Sequence, residues 1–137
     1  MSAVTDVINQ MRARHDALNE KLSQIPESRM GEMGAWGDRP MPIRMMMLQM
    51  VGHDLEHTAQ VLKTMRDLGI AQTEPQMILA DLQKVRGDLE AILVGLSDED
   101  LDRAPEGEWS IRQTLEHFVS TEDFYTQRLE KALESSG

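Results

Sequence analysis

The chain has 137 residues, of which 40% are hydrophobic and 28% charged, with a net charge of −10 and no cysteine. That length suits a single domain spanning residues 1–137, and the balance of residue types is that of a folded globular chain rather than a disordered one. The acidity excludes a nucleic-acid surface and an anionic membrane face as partners, and the missing cysteine excludes disulfides, thiolate metal sites and a cysteine nucleophile.

Four helical segments are predicted, and no strand-like alternation. The first runs from about Val4 to Ile25. Val4, Val7, Ile8, Met11, Leu18, Leu22 and Ile25 recur at spacings of three and four, which marks one buried stripe. His15 falls on that stripe and reads as a packed histidine, or one supporting a ligand from behind, rather than as a ligand itself. The second runs from Pro42 to about Asp67, with Pro42 in the first turn, where its missing N–H costs nothing. Its stripe holds Ile43, Met46, Met47, Met50, Val61, Leu62 and Met65. The run Met45-Met46-Met47 with Met50 reads as adaptable core filler, or as the lining of a permissive pocket.

The third segment starts near Thr73. Thr73-Glu74-Pro75-Gln76 offers an N-cap, an early proline and a glutamine placed to cap back. It continues through Met77, Leu82, Val85, Leu89, Ile92 and Leu93 to about Leu96. Asp98-Glu99-Asp100 reads as a solvated turn or helix start, and Trp109 as a packing anchor. The fourth helix opens at Ser110, with Gln113 as its capping-box partner. Ile111, Leu115, Phe118, Tyr125, Leu129 and Leu133 form its stripe. The tail Glu134-Ser135-Ser136-Gly137 is expected to fray. Four amphipathic helices without strands predict an all-α four-helix bundle. Asp6, Arg12 and Arg14 interrupt any apolar signal core, and no apolar run is long enough to span a bilayer. The expected location is the cytoplasm.

The chemistry-bearing constellation is a set of histidines. His53-Asp54-Leu55-Glu56-His57 puts two imidazoles one helical turn apart on one face, so the pair can chelate one ion. The bland reading of such a pair is a surface accident. His117 lies on the fourth helix, beside Thr114, Phe118 and Thr121. Taken alone it reads as a hydrogen-bonded histidine at a helix edge.

An internal repeat links the two places. At an offset of 68, Pro42-Ile43-Arg44 aligns with Ser110-Ile111-Arg112. Val51 aligns likewise with Val119, and Lys63 with Lys131. This reads as a helix-pair duplication, or as chance at so few identities. If helices two and four run antiparallel and cross near Gly52 and Ser120, His117 falls level with the gap between His53 and His57. Three neutral imidazoles with open coordination positions suit zinc, nickel or ferrous iron. The arrangement is not the His-Glu-x-x-His protease motif, because Asp54 follows His53 and Glu56 precedes His57. Glu56, Glu116 and Asp123 are candidates to orient a ring.

Two stretches carry a family resemblance. Gly95-Leu96-Ser97-Asp98-Glu99-Asp100-Leu101 is followed by Glu108-Trp109-Ser110-Ile111-Arg112-Gln113-Thr114-Leu115-Glu116-His117. With His53, His57 and Gln60, these resemble the motifs of the DinB/YfiT-like superfamily. The resemblance implies a four-helix bundle with helices two and four antiparallel, and metal ligands at His53, His57 and His117. The family's usual order of the two histidine-bearing helices is reversed here. An exchange of helix pairs about a pseudo-dyad preserves the site. It leaves open which loops shape the pocket mouth. The short link near Gly69 runs against a parallel second and third helix.

The resemblance further implies a divalent metal cofactor, zinc or nickel before iron, and often a homodimer. The activity it implies is that of a metal-dependent transferase acting on an external low-molecular-weight thiol, or of a hydrolase. The other class in play is a non-catalytic, stress-related protein that binds a metal or small ligand.

Overall fold

The computed structural model describes residues 1–135. They form two units, Met1–Gly95 and a second that begins at Leu96. The first holds α1 (Ala3–Leu22), a short 3-10 turn (Glu27–Arg29), strands β1 (Met33–Trp36) and β2 (Arg39–Pro42), α2 (Ile43–Asp67) and α3 (Glu74–Leu93). The second holds α4 (Asp98–Asp102) and α5 (Ile111–Ser135), the latter being the fourth helix predicted above. The chain is thus predominantly helical, as expected. Of the predicted fraying tail, Ser136 and Gly137 lie outside the described residues, and α5 runs through Ser135. No helix among the described residues is long and apolar enough to cross a membrane.

The helix starts follow from their caps. Ser2 caps α1 by accepting from the Thr5 backbone N–H at 3.2 Å. Thr73 and Gln76 form the full capping box at the head of α3, with proline in the first turn. Ser110 and Gln113 do the same before α5: the Ser110 N–H donates to Gln113 Oε1 at 2.9 Å, and the Gln113 N–H donates to Ser110 Oγ at 3.1 Å. Ser110, 6% exposed, is the one buried polar residue among those described. Replacing Ser110 by Ala should therefore cost about 1 kcal/mol of stability, within the usual range for losing such a cap. Urea unfolding monitored by helical circular dichroism measures it.

Helix α2 starts differently. Pro42 supplies no side-chain cap. Instead the Ile43 and Arg44 N–H groups donate to the Glu32 and Met30 carbonyls, both at 2.9 Å. Those carbonyls are held in place by a β-hairpin that periodicity did not predict. Met33 pairs with Pro42 and Trp36 with Arg39, in antiparallel register. The two-residue turn places Gly37 at φ +63°, a conformation open to glycine. Gly34 lets β1 approach α2: a Cβ there would stand 2.9 Å from Met46 Cε.

No hydrophobic side chain is buried among the described residues, but the stripes are unevenly covered. On α2 the predicted stripe residues Ile43, Met46, Met47, Met50 and Met65 are half-buried. Leu48, Val51, Leu55 and Leu62, mostly on the opposite side, are more than half exposed. Leu62, assigned above to the stripe, belongs with that outer set, and Val61, assigned to it as well, is also more than half exposed.

Candidate metal centre

His53 and His57 stand on consecutive turns of α2, and their ring centroids are 4.3 Å apart at an interplanar angle of 67°. Each ring is engaged at Nδ1. His57 Nδ1 lies 2.8 Å from Gln60 Oε1, and His53 Nδ1 lies 3.3 Å from Asp54 Oδ1. Both partners come from the same helix. The Thr58 and Thr64 hydroxyls donate back to the Asp54 and Gln60 carbonyls at 2.7 and 3.0 Å, so both are satisfied within the helix. His15 of α1 is exposed. It lines an open groove of about 580 Å³ together with Met47, Met50 and Asp54 of α2. The histidine on the first stripe and the residue beside His53 therefore border one space, and of the methionine run Met47 and Met50 line it.

His117 sits in the second unit, two turns into α5. The Trp109 ring packs edge-on against its ring at a centroid distance of 5.2 Å. The anchor role expected of Trp109 thus has a definite object. The Thr121 hydroxyl lies 3.5 Å from His117 Nε2, at the outer limit of a hydrogen bond. The loop carrying Trp109 is braced on both sides. Ser97 caps α4 with Asp100 returning the bond, and Arg112 of α5 donates to Asp102 of α4 at 2.5 Å.

The Arg112 hydrogen bond holds the Asp102 carboxyl below the ordinary carboxylate value, while Asp102 raises the Arg112 guanidinium. A carboxyl depressed in the folded state adds stability above its unfolded pKa. That contribution is lost as pH falls through the lowered folded value. The Asp102 carboxylate should therefore titrate by NMR below the ordinary aspartate range, and Arg112→Gln should return it there.

Glu56, Glu116 and Asp123 make no hydrogen bond to a histidine among the described residues; the ring partners in α2 are Asp54 and Gln60. Glu116 instead adds to the negative field that raises Arg112. Within either unit, no group of three or more His, Asp or Glu side chains among the described residues is arranged to hold an ion. The first unit supplies a pair of imidazoles and the second supplies one. Neutral imidazole is the donor that zinc, nickel and ferrous iron share, so the chemistry of this set fits such a metal.

A family model described as the DinB superfamily matches residues 81–136, and over that stretch the chain is similar to this superfamily. The matched residues include α4, the Trp109 loop and His117; His53 and His57 lie outside them. No curated protein and no solved structure matches the chain.

Proposed function

We propose that the chain is a DinB-like metal-binding protein that uses a divalent ion, held by His53, His57 and His117, in a reaction of an external thiol. The observation that carries this reading is the α2 pair: two adjacent imidazoles, each engaged at Nδ1 by an oxygen acceptor. Histidines that bind metals typically have the far ring nitrogen tied in this way. The superfamily match over the His117 segment supports the third ligand.

We also propose that the apolar stripes of α1, α2, α3 and α5 share the core of a four-helix bundle in which α2 and α5 are antiparallel. Uncovered stripes would leave the chain without the apolar burial that drives folding. A single domain over residues 1–137, a cytoplasmic location and a homodimeric state complete the reading.

When bound, a divalent ion of this kind acidifies a thiol or water and stabilises the negative charge that develops. The residues divide the remaining work. His53, His57 and His117 hold the ion. Trp109 and the Asp102–Arg112 pair fix the position of the His117 ring. The methionine-lined groove offers apolar surface to an electrophile. The chain has no cysteine, so the thiol comes from solution.

Steady-state assays test this directly. Purified protein loaded with zinc or nickel should consume a low-molecular-weight thiol in the presence of an alkyl electrophile, and stripping the metal with a chelator should stop turnover. Stoichiometric metal with no turnover across thiols, electrophiles and hydrolysable esters would overturn the catalytic part of the proposal.

A further inference from the structure

We infer that Gln60 is a positioning residue that fixes which nitrogen of His57 faces a metal; the inference rests on the metal reading above. A carbonyl oxygen carries no hydrogen and can only accept. Gln60 Oε1 lies 2.8 Å from His57 Nδ1, so this hydrogen bond exists only when Nδ1 bears the proton. In a neutral imidazole that leaves the lone pair on Nε2. A free histidine side chain prefers the opposite form, with the proton on Nε2. Gln60 therefore works against the intrinsic preference of the ring and delivers His57 with Nε2 ready to coordinate.

The other two histidines are held less firmly. Asp54 Oδ1 also only accepts, and so favours the same tautomer in His53, but at 3.3 Å the bond is long. At His117 the contact is a hydroxyl 3.5 Å away, and a hydroxyl can give or take a proton. Of the three rings, His57 is the one whose tautomer is imposed. It is the ligand already organised before any ion arrives.

The test is two-bond proton–nitrogen NMR of the full, metal-free chain at a pH where the imidazoles are neutral. Wild-type His57 should appear with Nδ1 protonated. Gln60→Ala should move it toward the Nε2-protonated form, and Gln60→Glu, which keeps an oxygen acceptor, should restore it. Chelator competition with zinc should show Gln60→Ala weakening binding about 10- to 100-fold, the usual effect of losing such an outer partner, with Gln60→Glu near wild type. A residue that merely stabilised the helix would change helical content and leave the tautomer alone. His57 Nε2-protonated in the wild type, or a tautomer indifferent to Gln60, would overturn the inference while leaving the metal reading intact. Tautomer control by Gln60 with no zinc bound by the wild type would overturn the metal reading, and with it the metal role assigned to Gln60.

Discussion

Replacing His57 by Ala should lower the affinity for zinc or nickel by more than about 100-fold, beyond the upper end of what loss of an outer-shell partner costs. The expectation follows from the helix. His53 and His57 are adjacent on consecutive turns of α2, so removing one leaves a single imidazole there and ends chelation by that helix. His57 is also the ring with the firmer Nδ1 hydrogen bond, at 2.8 Å against 3.3 Å for His53. Its loss should therefore exceed that of His53→Ala. Competition against a chelator of known affinity measures both. Helical circular dichroism should change little, because α2 keeps its backbone carbonyl caps and alanine is a good helix former. Equal metal content in wild type and His57→Ala would remove the α2 pair from the site.

The second large effect concerns the core. Met50 lies on the half-buried stripe of α2, whereas Leu55 lies on the opposite side and is 67% exposed. If the stripes share a bundle core, Met50→Ala should destabilise the protein by about 2–5 kcal/mol, the range for truncating a large buried side chain to alanine. Leu55→Ala should stay within about 0.5 kcal/mol, as surface substitutions do. Both changes are apolar to alanine in one helix interior, so propensity differs little and the contrast isolates packing. Urea denaturation at two protein concentrations reads it. A loss at Leu55 that grows on dilution would place the homodimer surface on that face. Equal small losses at both positions would contradict the bundle.

Much of the local structure was legible because caps are local chemistry. Thr73 with Gln76, and Ser110 with Gln113, form the boxes their spacing announced, since each needs only two side chains and three residues of backbone. The hairpin was not legible from periodicity. Met33-Gly34-Ala35-Trp36 shows no alternation, because its role is to bring Gly34 under Met46 and to aim two carbonyls at the head of α2. The signal that could have found it is Gly37-Asp38 between two short runs, a two-residue hairpin turn with glycine where φ is positive. The first helix was predicted to reach Ile25 because the stripe continues to it. In the structure α1 stops at Leu22, with the Ser23 N–H bonded back to the Asn19 carbonyl. Helix α4 was legible only as an acidic start at Asp98-Glu99-Asp100; the Ser97–Asp100 box makes it a helix.

The site was legible in the same uneven way. The spacing of His53 and His57 fixes their adjacency on any helix, and the structure bears it out at 4.3 Å. The ring partners were misjudged for a physical reason. Glu56 makes no bond to the neighbouring His57, whose partner Gln60 stands three residues on, on the same side of the helix, while His53 is met at longer range by its neighbour Asp54. Trp109 was read as a packing anchor from its place before the cap, and its contact with His117 gives that anchor a purpose.

The central claim is that His53, His57 and His117 bind one divalent ion together. X-ray absorption spectroscopy of the purified protein, with elemental analysis of the same sample, tests it most directly. The expected result is one zinc or nickel per chain, with imidazole nitrogens in the first coordination sphere and a sphere reduced by one imidazole in His117→Ala. A protein that takes up no stoichiometric metal, or a metal environment unchanged in His117→Ala, would contradict it.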